Sequence, residues 1–118
     1  MKQLSAKVAA AALLLAPLLA ATGAQAHAHL LASNPAASSA VAAPKALHLE
    51  FSEKLEPKFS KAELSKAGAP VAASSVAKGK TIDLAPKAAL TAGAYNVVWA
   101  VVSTDGHKSK GDYSFSVK

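Results

Sequence analysis

The chain has no cysteine and no arginine among its 118 residues, and aromatic residues make up only 5% of it. Without cysteine it can form no disulfide and no thiolate metal site, so a packed core or a bound metal must supply the stability that small exported domains often take from disulfides. Without arginine it lacks the bidentate guanidinium that phosphate and nucleic-acid recognition usually employs. Its scattered lysines indicate a solvated surface, and no nucleic-acid partner is expected.

The N-terminus has the features of a secretory signal peptide. Lys2 and Lys7 give a positive start, residues 8–21 are almost entirely apolar, and the Ala-Gln-Ala sequence at 24–26 offers small residues on both key positions of a cleavage site. About 14 apolar residues are fewer than the roughly 20 that span a bilayer as a helix, which argues against an uncleaved anchor. The N-terminus therefore predicts export to the periplasm.

We predict a cleaved signal peptide over residues 1–26 and a single domain over residues 27–118, with no membrane insertion after cleavage. The domain keeps 11 lysines and 7 acidic residues, a net charge of +4, because Lys2 and Lys7 leave with the signal peptide. No internal repeat is present.

Apolar residues in this domain alternate with period two and are interrupted by Pro, Gly and Ser, a pattern typical of short, half-buried strands. We expect seven strands, at residues 29–33, 46–52, 59–65, 71–76, 81–84, 94–103 and 111–117. Seven short strands with no helix-length amphipathic segment predict an all-β, two-sheet antiparallel sandwich of the immunoglobulin or cupredoxin kind. The alanine-rich residues 36–46 are compatible with a loop or a strand.

The strand at 94–103 is apolar on both faces. Tyr95, Val97, Trp99 and Val101 share one face, and Val98, Ala100 and Val102 share the other. We therefore expect this strand to be central, with partners or loops covering each side. Trp99 is expected to be a core residue that can also wall a nearby site.

Four histidines are candidate metal ligands: His27, His29, His48 and His107. Cleavage after residue 26 makes His27 the first residue, and its free α-amine and imidazole can together close a six-membered chelate on a metal ion. His48 falls on the solvent-facing side of its strand and is predicted to be a surface histidine without a function.

Asp105 and His107 are separated by one glycine just beyond the long central strand. A turn at Gly106 could aim both side chains at one point, although an Asp-Gly turn followed by a surface histidine is common in hairpins. With His27 added, one amine, two imidazoles and one carboxylate form an N3O donor set that suits tetragonal Cu(II).

The sequence resembles the CopC family of periplasmic copper-resistance proteins over essentially the whole predicted domain. The resemblance lies in His-Ala-His-Leu at 27–30, Leu-Glu-Phe-Ser-Glu at 49–53, the stretch from 93 to 107, and Gly-Asp-Tyr-Ser-Phe at 111–115. It implies a cupredoxin-like Greek-key sandwich that binds one Cu(II) through the amine and imidazole of His27, with Asp105 and His107. It further implies a role in copper resistance and homeostasis, buffering or carrying Cu(II), with an inner-membrane copper transporter of the CopD type as partner.

The sequence departs from the family in its methionine content. Some members hold Cu(I) in a methionine-rich loop, whereas the only methionine here is Met1, which is lost with the signal peptide. Thioether ligation of Cu(I) is then impossible, and we expect a member that binds only Cu(II).

The role of His29 is open between two alternatives. As the third residue of the processed chain it could complete a square-planar Cu(II) chelate with the N-terminal amine and two backbone amides. Alternatively it lies on the same face as His27 and orients the site or lends it a hydrogen bond. We favour the second alternative, because a site that includes Asp105 and His107 depends on the fold.

Two other functions compete with copper binding. A copper-dependent oxidoreductase could use an N-terminal histidine brace, but Asp105 would occupy the position that oxygen needs and 92 residues leave little area for a substrate platform. A metal-free exported interaction domain is the other alternative. We expect a protein that is not an enzyme.

Overall fold

The computed structural model describes residues 27–118, and the predicted signal peptide lies outside the described residues. Within them the chain forms nine strands and one short 3-10 helix at Pro57–Phe59. The strands are β1 (Leu30–Asn34), β2 (Ala40–Val41), β3 (Leu47–Phe51), β4 (Lys61–Lys66), β5 (Ala69–Val71), β6 (Ala73–Lys78), β7 (Thr81–Pro86), β8 (Gly93–Val102) and β9 (Lys108–Val117). No helix in residues 27–118 is long and apolar enough to cross a membrane.

The strands form two sheets. The first has the order β1-β3-β7-β6 and the second the order β2-β9-β8-β4-β5. All pairs are antiparallel except β2 with β9, which is parallel. The predicted all-β, two-sheet architecture is confirmed, with this single parallel pair as an addition to the antiparallel scheme.

The count of seven strands was too low for two local reasons. The segment predicted as one strand at residues 71–76 is interrupted at Ala72, whose carbonyl accepts a hydrogen bond from the amide of Lys87 (2.9 Å), so that β5 and β6 belong to different sheets. The alanine-rich segment contributes β2, which is only two residues long. Residues 71–76 and β2 consist of alanine, serine and valine, and these small residues give little hydrophobic contrast.

The core lies between the sheets and follows the predicted alternation. Leu47, Leu49 and Phe51 on β3 are fully buried, and on β8 the four residues from Tyr95 to Val101 that point inward are at most 8% exposed. The ring of Phe51 packs edge-on against the indole of Trp99, with centroids 5.1 Å apart. Trp99 is therefore a core residue, as predicted.

The second face of β8 differs from the prediction. The strand is central, lying between β9 and β4, but within residues 27–118 its outer side is only partly covered, near Val102 by the 3-10 helix. Val98 is 44% exposed and Ala100 is also exposed. The expectation of a strand covered on both sides was wrong. Apolar residues on both faces of a strand do not show that other segments of the same chain pack on both faces.

Gly111 is required by the indole of Trp99, which lies opposite it in the β8–β9 pair. A Cβ at Gly111 would come within 2.4 Å of the six-membered ring of Trp99, and that indole is held on its other side by Phe51. We expect Gly111→Ala to lower the free energy of unfolding by about 1–3 kcal/mol through overpacking, measured by urea denaturation. Ser116→Ala on the exposed face of the same strand is the control, and equal stability of the two variants would contradict the prediction.

Candidate metal centre

The hairpin between β8 and β9 carries Asp105 and His107. The two strands pair along their whole length, from Gly93 with Val117 to Val102 with Lys108, so the loop between them leaves and re-enters a continuous ladder. Gly106 closes the turn with φ of 93°, a conformation that side chains disfavour. The backbone amide of Ser103 also donates to the carbonyl of His107 (2.9 Å), which closes the loop at its base.

The Asp105 carboxylate has two neighbours within the hairpin. It accepts a hydrogen bond from the hydroxyl of Ser103, and one of its oxygens lies 3.2 Å from Nδ1 of His107. The Ser103 hydrogen bond, and after it the hydrogen bond with His107, hold the pKa of the Asp105 carboxyl below its usual value. The carboxylate is therefore ionised at neutral and mildly acidic pH, while both side chains remain about half exposed to solvent (Asp105 55%, His107 49%).

The N-terminal segment is fixed against the same hairpin. Ala28 is buried, and its carbonyl accepts a hydrogen bond from the hydroxyl of Ser109 on β9 (2.9 Å). This contact places the imidazole of His27 beside that of His107, with ring centroids 5.4 Å apart. The structure thus brings His27 next to the pair formed by His107 and Asp105, which lies far from it in the sequence.

The other two histidines lie differently. The backbone of His29 is bound to Ser52 at both ends: its amide donates to the Ser52 hydroxyl and its carbonyl accepts from the Ser52 amide, each at 2.9 Å. His29 is exposed and precedes β1, so the strand predicted from residue 29 begins at Leu30. His48 lies on the exposed face of β3, as predicted, with Nδ1 2.5 Å from Asp83.

The candidate centre is a set of close donors whose hydrogen bonds must rearrange for a metal ion. Within residues 27–118, no group of three or more His, Asp or Glu side chains is already arranged to hold a metal ion. Asp105 is engaged with Ser103 and His107, and a metal bound to the Nδ1 of His107 would replace the second of these contacts. Imidazole nitrogens and a carboxylate oxygen are nonetheless suitable donors for a divalent transition metal.

Residues 30–118 match the model of the CopC domain family, including Asp105 and His107 but beginning three residues after His27. The chain belongs to the CopC family. Curated CopC relatives include copper resistance protein C of Escherichia coli, 44% identical over 110 residues that cover 83% of this chain and 86% of the relative. Copper resistance protein C of Xanthomonas campestris pv. juglandis is 39% identical over 121 residues, covering 94% of this chain and 95% of the relative.

Solved CopC-family structures agree with the fold. The crystal structure of PcoC, described as a methionine-rich copper resistance protein from Escherichia coli, superposes with a TM-score of 0.74 at 44% identity, covering 79% of this chain and all of PcoC. CopC from Methylosinus trichosporium OB3b superposes with a TM-score of 0.73 at 31% identity, covering 78% of this chain and 94% of that protein. The relatives from Escherichia coli and Xanthomonas campestris are named copper resistance proteins, which supports the expectation of a protein that is not an enzyme over the oxidoreductase alternative.

Three serines that position the candidate site were not predicted from the sequence. Ser103 donates to Asp105, Ser109 holds Ala28, and Ser52 holds the backbone of His29. Ser103 could have been found, because a serine two residues before an aspartate at a strand end often forms a local side-chain hydrogen bond. Ser52 and Ser109 act across the fold, and nothing in their local sequence indicates these contacts.

Proposed function

We propose that the protein, after removal of residues 1–26, binds one Cu(II) ion and buffers or carries it in the periplasm as part of copper resistance. The ligands are the α-amine and imidazole of His27, the Asp105 carboxylate and the imidazole of His107. The observation that carries the proposal is the packing of the His27 ring against the His107 ring, with Asp105 on His107 Nδ1. Its exchange partner is an inner-membrane copper transporter of the CopD type.

The chemistry of the donors supports Cu(II) over Cu(I). Three nitrogens and one oxygen suit a tetragonal Cu(II) ion, and Cu(II) heads the affinity order of divalent first-row metals for such ligands. Cu(I) prefers thiolate and thioether sulfur, but this chain has no cysteine and its only methionine is Met1. In this respect it differs from PcoC, whose description as methionine rich does not fit the present sequence.

The backbone near the N-terminus supports a site built by the fold over a chelate made by the first three residues alone. Such a chelate needs the amide nitrogens of Ala28 and His29 as deprotonated ligands. The His29 amide instead donates to Ser52, and the Ala28 carbonyl is held by Ser109. Forming the chelate would break the first contact and move a buried residue, which favours the role of His29 beside the site and not in it.

Titration against competing chelators tests the choice of oxidation state. We expect the processed protein to bind one equivalent of Cu(II) tightly and Cu(I) poorly, because sulfur donors are absent. His48→Ala, which removes an exposed histidine on the other sheet, is the control and should alter neither affinity. Tighter binding of Cu(I) than of Cu(II) would refute the proposal.

Copper binding should weaken as the pH falls. The α-amine and the imidazoles must be deprotonated to bind copper, and such groups generally take up protons between about pH 8 and pH 5. The lowered pKa of Asp105 keeps its carboxylate ionised throughout this range, so the nitrogen donors alone produce the loss. We expect the apparent Cu(II) affinity to fall steadily from pH 8 to pH 5 with release of protons on binding, measured by calorimetry in two buffers. An affinity independent of pH would exclude amine and imidazole ligation together.

A further inference from the structure

An apolar groove lies on the outer face of the β2-β9-β8-β4-β5 sheet, next to the hairpin between β8 and β9. It has a volume of about 750 Å³, and Phe59, Ala100, Val102, Lys108 and Lys110 contribute to its lining. Val102 is the last residue of β8 and Lys108 the first of β9. The hairpin loop that carries Asp105 and His107 therefore joins the two strands at the end of the groove.

The solvent-facing side of this sheet carries several exposed apolar side chains. Phe59 is 68% exposed and Val98 is 44% exposed, and Ala100 lies between Val98 and Val102 on the same side of β8. Single exposed apolar residues are ordinary, whereas a contiguous set beside a functional site is typical of an interaction surface. The solvent-facing side of an antiparallel sheet is usually polar, and this one is apolar and largely exposed within residues 27–118.

The charged residues around the groove indicate the charge of a partner that would bind there. Lys61 and Lys110 flank Ala100 on the two neighbouring strands, and Lys108 lies beside Val102. Lys61 pairs with Glu63 at 3.2 Å, whereas Lys108 and Lys110 make no ion pair within residues 27–118. The acidic residues of this face, Glu63 and Asp112, flank Val98, one step further from the hairpin. Glu56 lies next to Val102 through its backbone amide but is not among the residues that line the groove. The charged residues of the groove lining are Lys108 and Lys110, so the lining itself is basic.

We propose that this groove docks an acidic segment of a partner protein, which inserts one apolar side chain between Phe59 and β8 while its carboxylates meet Lys108 and Lys110. The inference rests on the proposed function and deepens it, because it places the copper-exchange partner directly beside the hairpin between β8 and β9. A second copy of this chain is a poor occupant, because a groove that meets the groove of another copy brings Lys108 and Lys110 against the same two lysines. A lipid surface is also a poor occupant, because Ala100 and Val102 form the floor of a concave site.

The test uses the copper-free processed protein and three probes. The first is a short Asp/Glu-rich peptide with one central leucine, the second is the same peptide with serine in place of leucine, and the third is a phosphatidylglycerol vesicle. Binding is followed by NMR through the backbone amides. We expect the leucine peptide to shift the amides of Phe59, Ala100 and Lys110, and the serine peptide to bind more weakly.

Matched variants separate docking from general charge attraction. Lys110→Glu and Phe59→Ser should each weaken the leucine peptide by about fivefold or more. The controls Lys87→Glu and Val76→Ser, which alter an exposed lysine and a 59% exposed valine elsewhere, should not. Equal weakening by Lys87→Glu, shifts spread over the surface, or binding of vesicles alone would overturn the inference. The Cu(II) affinity should be unchanged in all four variants, because none of them alters a proposed ligand. Absence of Cu(II) binding by the unmodified protein would refute the proposed function without bearing on the groove.

Discussion

Adding one alanine ahead of His27 is expected to weaken Cu(II) binding by about a thousandfold, which is about 4 kcal/mol. The extra residue converts the α-amine of His27 into an amide and moves the new amine away from the imidazole, so the six-membered chelate is lost. Acetylation of the processed N-terminus should have the same effect. The measurement is a competition titration on protein whose first residue has been determined by mass spectrometry.

The control for this prediction adds the same alanine after Lys118, where it should leave the affinity unchanged. The Ser109 contact to Ala28 lies beyond the added residue, so the fold should be kept in the extended variant, which circular dichroism can check. If the extended protein binds Cu(II) as tightly as the processed protein, the α-amine is not a ligand and the site must lie among internal residues.

His107→Ala and Asp105→Asn should each weaken Cu(II) binding by about 100-fold or more and change the Cu(II) paramagnetic resonance spectrum. Losing a residue that merely orients a metal ligand lowers affinity by about 10- to 100-fold in other sites, so loss of a ligand should exceed that range. Asparagine is chosen at Asp105 because it keeps an acceptor for the buried Ser103 hydroxyl. His29→Ala should have the smaller effect.

The first sheet offers a matched control for these variants. His48 and Asp83 form a second exposed histidine-aspartate pair there, so His48→Ala and Asp83→Asn repeat the same chemical changes away from the hairpin. Both should leave the spectrum unaltered. A short peptide beginning with residues 27–29 should give a different spectrum from the protein. Identical spectra and affinities for peptide and protein would mean that Asp105 and His107 are not ligands.

The strands with strong hydrophobic contrast could be predicted from the sequence, and those without it could not. The alternation in β3 and on one face of β8 correctly identified residues that are now buried in the core. The break at Ala72 was missed, because residues 71–76 are all valine, alanine or serine, with no glycine or proline among them. The outer face of β8 was misjudged for a different reason: a strand's pattern identifies apolar surface but not what covers it.

The sequence predicted only part of the arrangement of the candidate ligands. The spacing of Asp105, Gly106 and His107 indicated that two side chains converge at one turn, and the structure places them 3.2 Å apart. The approach of His27 to this turn depends on hydrogen bonds made by Ser109 and Ser52, which no local pattern reveals. Copper ligation by this group remains a prediction that the variants above test.

The hydrogen bond between Ser109 and Ala28 joins residues 81 positions apart in the chain. In folding terms this is a highly non-local contact, and such contacts form late because a long loop must close first. His27 begins the predicted domain, whereas the hairpin with Asp105 and His107 lies near its C-terminal end. If the proposed ligands are correct, an unfolded chain therefore lacks the complete donor set, and the proposed site forms only when the N-terminal segment has docked on β9.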